Sequence, residues 1–160
     1  MIELENIDSS VKFKCQVIRY QFPDAKNNDD ANWCLLEVNI AHGSKVFHKI
    51  DAAIETQDLI SLYDWFSCLS VNTLPKFAHL QFTEPCLSFE FLGKQHNAVR
   101  FSINLNHELK PDFNLSQFDY ESDDWHIVFE INENNFQKVL LGLKEAICQF
   151  PIKNHNSQSD

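Results

Sequence analysis

The clearest signal in the chain is a period of two. Val11, Phe13, Cys15 and Val17 alternate with Lys12, Lys14 and Gln16, which puts the apolar side chains on one face of a pleat and predicts a half-buried strand over residues 11–20. Pro23 ends it, and residues 24–32 (DAKNNDDAN) read as a polar loop. A second strand is predicted from Trp33 to about residue 41, a turn at His42-Gly43-Ser44, and a third strand over residues 46–54. The period then changes. Leu59, Leu62, Tyr63, Phe66 and Leu69 recur at helical spacing, so residues 57–69 predict a helix with one buried face, Trp65 lying just off its stripe. Thr56 is the expected N-cap, Asp58 sits near the positive end of the helix dipole, and Pro75 lies beyond the helix end.

Strands return over residues 78–82, 86–92 and 99–106, each bounded by breakers. Leu87, Phe89 and Phe91 alternate with Ser88 and Glu90, and Phe101, Ile103 and Leu105 with Ser102 and Asn104, which predicts an antiparallel hairpin with one apolar face. Residues 112–124 form a polar, acidic connection to a last strand over residues 125–131. Asn132 then caps a helix whose apolar stripe is Phe136, Val139, Leu140, Leu143 and Ile147. No internal repeat and no long linker is visible. The expected architecture is α+β: an antiparallel sheet of about six or seven strands with two packed helices, residues 1–153 forming one domain and residues 154–160 a frayed tail.

Composition narrows the function. With 44% apolar residues and 14 phenylalanines the chain is too apolar to be disordered, and with only 3 glycines it is a poor candidate for glycine-rich phosphate loops. The 13 basic and 23 acidic residues give a formal charge of −10, the opposite of what nucleic-acid or anionic-membrane binding requires, and attractive to a basic protein. No apolar stretch approaches the length of a membrane span, and the opening MIELENIDSS has no basic-apolar signal pattern, so the expected compartment is the cytoplasm. The five cysteines are odd in number, form no CxxC pair and mostly lie in apolar runs, as buried reduced thiols do.

Candidate chemistry is thin. None of the GxSxG, HExxH, GxxxxGK[ST] or GxGxxG patterns occurs, and the seven histidines are scattered without zinc spacing. Glu84 and Glu90 are the best carboxylate pair, but one sits in a Thr-Glu-Pro turn and the other on the face opposite Phe89 and Phe91. Cys86 has apolar neighbours and no base tied to it by a motif. No catalytic residue, cofactor or metal site is therefore predicted, and the expected activity is binding another protein. Trp33 and Trp125 each open a strand directly after a polar loop, beside acidic clusters at Asp24, Asp29 and Asp30 and at Asp119, Glu121, Asp123 and Asp124. An aromatic anchor with a charged rim is a common interface arrangement, which makes Trp33 and these seven acids the candidate partner-binding set.

Several short motifs in a fixed order point further. Tyr20-Gln21-Phe22-Pro23, an acidic loop and Asp30-Ala31-Asn32-Trp33 are followed by a Thr-Gln-Asp-Leu helix start with Trp65. Glu84-Pro85-Cys86-Leu87-Ser88-Phe89, the Ser122-to-Trp125 segment and a C-terminal helix ending in Phe150-Pro151 complete the series. This order resembles the WapI-type bacterial immunity proteins over about residues 1–153. Lys153 departs from the arginine expected after Phe-Pro-x, and Cys86 from a common asparagine. The resemblance implies a cytoplasmic immunity protein that neutralises a toxin domain delivered by contact-dependent competition, the family's type toxin being one that attacks tRNA. The implied partner is a basic C-terminal toxin domain. A non-enzymatic adaptor with an unrelated protein partner is the alternative.

Overall fold

The computed structural model describes residues 2–6, 9–95, 98–113, 115 and 125–154, the side chains of Asp29 and Gln95 aside. The chain runs one course twice. Strands β1 (Ile2–Glu5) and β2 (Val11–Tyr20), a single helical turn α1 (Asn28–Ala31), and strands β3 (Trp33–His42) and β4 (Lys45–Glu55) come first. The four strands form a sheet in that order and lead into helix α2 (Thr56–Ser70). Four more, β5 (His79–Gln81), β6 (Leu87–Gln95), β7 (Ala98–Leu105) and β8 (Trp125–Ile131), form a second sheet and lead into helix α3 (Glu133–Gln149). Every neighbouring pair is antiparallel. A 3-10 turn covers His107–Leu109. The α+β class, the antiparallel pairing and the two packed helices match the expectation. Among the described residues the strands number eight and divide into two sheets of four, and β1 is an addition to the elements that periodicity predicts.

The inner face of each sheet carries the apolar set of the period-two pattern. Phe13, Val38 and Ile40 point inward from the first sheet, and Phe89, Phe101, Ile103 and Phe129 from the second, all essentially without solvent exposure. Phe13 meets Phe129 edge-on at 6.1 Å, joining the two sheets, and Phe129 stacks on Phe101 at 5.7 Å. Phe66 of α2 packs edge-on against Phe89, Phe101 and Phe136, so one ring touches the second sheet and α3 together. Trp65, expected beside the stripe, is buried at its centre, against Phe89 and Phe101, and its Nε1 donates to the Phe77 carbonyl at 3.0 Å.

The helix starts follow local chemistry. Asn132 caps α3 as expected, its side chain accepting from the Asn135 N–H. Thr56 is not the cap of α2. Glu55 is, in a reciprocal box in which its side chain takes the Asp58 N–H while Asp58 Oδ2 accepts from the Glu55 N–H at 2.9 Å. The Thr56 hydroxyl turns elsewhere and donates to Asn32 Oδ1 at 3.1 Å.

That bond belongs to a clasp holding the end of the chain. The Asn32 carboxamide pairs with the Lys153 peptide as one peptide pairs with another in a ladder, accepting from its N–H at 2.8 Å and donating to its carbonyl at 3.1 Å. The Tyr20 hydroxyl donates to the Pro151 carbonyl at 2.6 Å, and the Phe150 ring meets the Tyr20 ring edge-on. Lys153 Nζ lies 3.7 Å from the centre of that ring and donates to the Pro23 carbonyl. Tyr20, Pro23, Asn32, Phe150 and Pro151, all residues of the ordered signature, thus meet at one place, and Lys153 supplies there the cation that the expected arginine would.

The thiols divide by depth. Cys15, Cys34 and Cys86 are buried, Cys68 is half-buried and Cys148 is exposed on α3. Burial pushes the Cys15 and Cys34 thiols up to about 12.

Asn32→Ala removes the side-chain bonds to Asn28, Thr56 and Lys153 and leaves the Lys153 peptide unanswered. It should cost about 2–4 kcal/mol in urea unfolding, against about 1 kcal/mol for Lys153→Ala. An Asn32→Ala protein as stable as the parent would show that the clasp does not hold the fold. In native protein at mildly alkaline pH, iodoacetamide should label Cys148 first and spare Cys15, Cys34 and Cys86 until denaturant is added, as peptide mass spectrometry would read; early labelling of Cys34 would contradict the burial.

Candidate functional site

With both inner faces committed to the core, the surfaces left for function are the loops, the outer sheet faces and the solvent faces of the helices. The expected anchor and rim lie beside the clasp. Asp24 and Asp30 are exposed and Trp33 is half-buried at the start of β3. Asn27 fixes the acidic turn: its Oδ1 caps the Asp30 N–H at 2.7 Å and its Nδ2 donates to Asp30 Oδ2 at 2.9 Å. The Gln21 N–H donates to the Trp33 carbonyl, which brings residues 20–23 alongside. Phe22, not singled out in the sequence, stands 45% exposed between the clasp residues Tyr20 and Pro23. Its signal was only its place inside the Tyr-Gln-Phe-Pro motif, where an aromatic reads equally well as core. The Asp29 side chain, Asp119, Glu121, Asp123 and Asp124 lie outside what the structure describes, as does most of the Ser122-to-Trp125 motif. Trp125 itself opens β8 as expected but is buried, its Nε1 donating to the Phe113 carbonyl at 2.7 Å, so it fixes the core and offers no anchor.

The outer face of the second sheet is the other candidate. It forms a groove of about 390 Å³ floored by Ser88, Ser102 and Asn104 and walled by His79, Glu90 and His126 among others. The pleat explains the membership: these residues alternate with the buried Phe89, Phe101, Ile103 and Ile127. Ser88 and Ser102 are nonetheless buried, at 7% and 3% exposure, because longer side chains on neighbouring strands rise around them. Ser88 Oγ accepts from Asn104 Nδ2 at 3.2 Å and lies 3.2 Å from His79 Nε2.

A serine beside a histidine invites a catalytic reading. A nucleophilic serine needs a base held by a third group and donors aimed at the developing oxyanion. Among the described residues no carboxylate is hydrogen-bonded to His79, and Ser88 Oγ is already shared with the Asn104 amide. The network ties three strands together. Glu90 lines the groove and Glu84 does not, so the two carboxylates do not face one bond. The Cys86 thiol is pushed up to about 11, by burial first and then by its hydrogen bond to Glu108, the reverse of an activated nucleophile. Among the described residues no group of three or more His, Cys, Asp or Glu could hold a metal ion.

On the first sheet's outer face Glu37 accepts from Gln16 Nε2 at 2.6 Å and pairs with His48 Nε2 at 3.0 Å, and these bonds lower its carboxyl from the ordinary value. Among the described residues no helix is long and apolar enough to cross a membrane.

What the geometry offers is a set of surfaces for binding. No curated protein and no solved structure matches the chain. A family model does, that of the immunity protein WapI-like family, over residues 3–151, and the chain therefore belongs to that family.

Proposed function

We propose that this protein is an immunity protein that binds a cognate toxin domain in the cytoplasm and neutralises it without catalysis, residues 1–153 acting as one unit. The observation that carries the reading is the family match over residues 3–151. Charge gives it a physical form. At −10 the protein attracts basic surfaces, and a nuclease that grips RNA presents one, so an acidic protein can occupy that surface and exclude the substrate. We place the acidic rim at Asp24, Asp29 and Asp30 with Asp119, Glu121, Asp123 and Asp124, and the anchor at Trp33, to which the exposed Phe22 adds a second aromatic. The clasp suits this use. It holds residues 20–23 and 32–33 against the chain end, so the anchor and part of the rim stand pre-ordered and less entropy is lost on binding.

A toxin C-terminal domain found encoded next to this gene should co-purify with the protein and lose its activity at stoichiometric amounts. A toxin fully active at saturating protein would rule the pair out. Reversing Asp29, Asp30, Asp123 and Asp124 to Lys should slow association roughly tenfold at low salt and flatten its salt dependence while leaving thermal unfolding nearly unchanged. Unaltered association kinetics across that series would move the interface elsewhere.

A further inference from the structure

Two rungs of side chains cross the outer face of the second sheet. In one, Gln81, Ser88, Asn104 and His126 stand opposite one another on successive strands, and in the other His79, Glu90, Ser102 and Val128 do. The first rung is closed by the Asn104-to-Ser88 bond, with His79 reaching the same oxygen diagonally. The second is open. Among the described residues neither the Glu90 carboxylate nor the Ser102 hydroxyl has a hydrogen-bond or ion-pair partner. Ser102 is 3% exposed and Glu90 is exposed, and both line the groove, where one ligand can meet the two groups together.

The two groups define what fits. They sit directly opposite on β6 and β7, where cross-strand side chains stand about 5 Å apart. One is an anion that only accepts, the other a hydroxyl with acceptor capacity to spare. The ligand must bring positive charge and at least two donors spread over that distance. A planar guanidinium does so better than an ammonium, whose donors radiate from one point. The chain's own candidate, Arg100, two residues before Ser102 on the same face, is drawn to Glu130 instead, its Nε 3.1 Å from Oε1 in an ion pair without hydrogen-bond geometry. The cation has to come from outside, and a protein of net charge −10 draws basic partners.

We infer that the groove on the outer face of the second sheet receives an arginine side chain of the toxin domain, its guanidinium lying between Glu90 and Ser102. The inference rests on the proposed function for the identity of the partner and on the open rung for the site. Two measurements test it. In the first, N-acetyl-arginine amide is titrated into isotope-labelled protein and followed by NMR. Amide shifts should cluster at Ser88, Glu90, Ser102 and Asn104, be smaller with N-acetyl-lysine amide, and vanish in Glu90→Gln. In the second, binding of a toxin domain that co-purifies with the parent protein is measured for Glu90→Gln and Ser102→Ala, which should each weaken it by roughly tenfold to a hundredfold without lowering the melting temperature. Toxin binding that is equal in parent and variants overturns the groove and leaves the proposed function standing. Failure of any toxin domain to bind the parent, with arginine amide still shifting Glu90 and Ser102, overturns the proposed function and leaves the arginine site standing. No shift at these residues overturns the site.

Discussion

Two four-stranded sheets, each apolar on one face, must hide those faces, and here they hide them in one another and in the same pair of helices. The Phe13–Phe129 contact joins the sheets, and Phe66 joins the second sheet to both helices. Each aromatic pair adds about 0.5–1.5 kcal/mol beyond the burial of its area, so the run of rings from Phe13 through Phe129 and Phe101 to Phe66 is a large share of the net stability expected of a domain. The arrangement also sets where function can lie. Because the inner faces are spent on the core, only the outer faces, edges, loops and solvent faces of the helices remain for a partner. Two of the four edges are short, β1 with four residues and β5 with three, which limits strand addition as a binding mode.

The second-sheet pattern and the β2 pattern were legible in the sequence because a half-buried strand leaves a period of two that few other structures imitate. The strand predicted over residues 125–131 coincides with β8, and Asn132 caps α3 as the sequence predicts. β1 was invisible because Ile2 and Leu4 are too few for a period, and its strand exists only by pairing with β2. Division into two sheets was also invisible, since the pairing of a strand's outer edge depends on what the rest of the chain brings near. Trp65 looked peripheral because a helix packed on one surface has a narrow stripe, whereas α2 faces both a sheet and α3 and buries a wider one. Thr56 looked like a cap because threonine prefers that position; Glu55 holds it through the reciprocal bond with Asp58, which composition alone does not reveal.

The candidate site was legible in part for the same kind of reason. Asp24, Asp30 and Trp33 are close in sequence, so a loop reading could gather them. The clasp could not be read, because Asn32 and Lys153 are 121 residues apart and neither is unusual in its own neighbourhood. The groove was hidden in a different way. Ser88 and Ser102 appear in the alternation as ordinary solvent-face serines, and only the walls raised by side chains on adjacent strands bury them. A short polar residue between long neighbours becomes a floor, and that depends on register across strands, not on position along one.

Charge and shape act differently at such a surface. Long-range attraction from a charge of −10 raises the encounter rate with any basic domain, but it is screened beyond about 8 Å at physiological salt and does not tell one basic surface from another. For the proposed immunity function, discrimination between related toxin domains has to come from short-range groups whose bonds are made only with the right partner. Exposed loop aspartates are poor at this, because water answers them nearly as well as a partner does. A carboxylate and a hydroxyl fixed opposite one another on adjacent strands are better suited, because only a surface with donors at both positions meets the two together. Under the proposed function the two surfaces divide the work, the acidic loops setting how often a basic partner arrives and the second-sheet groove which arrival lasts.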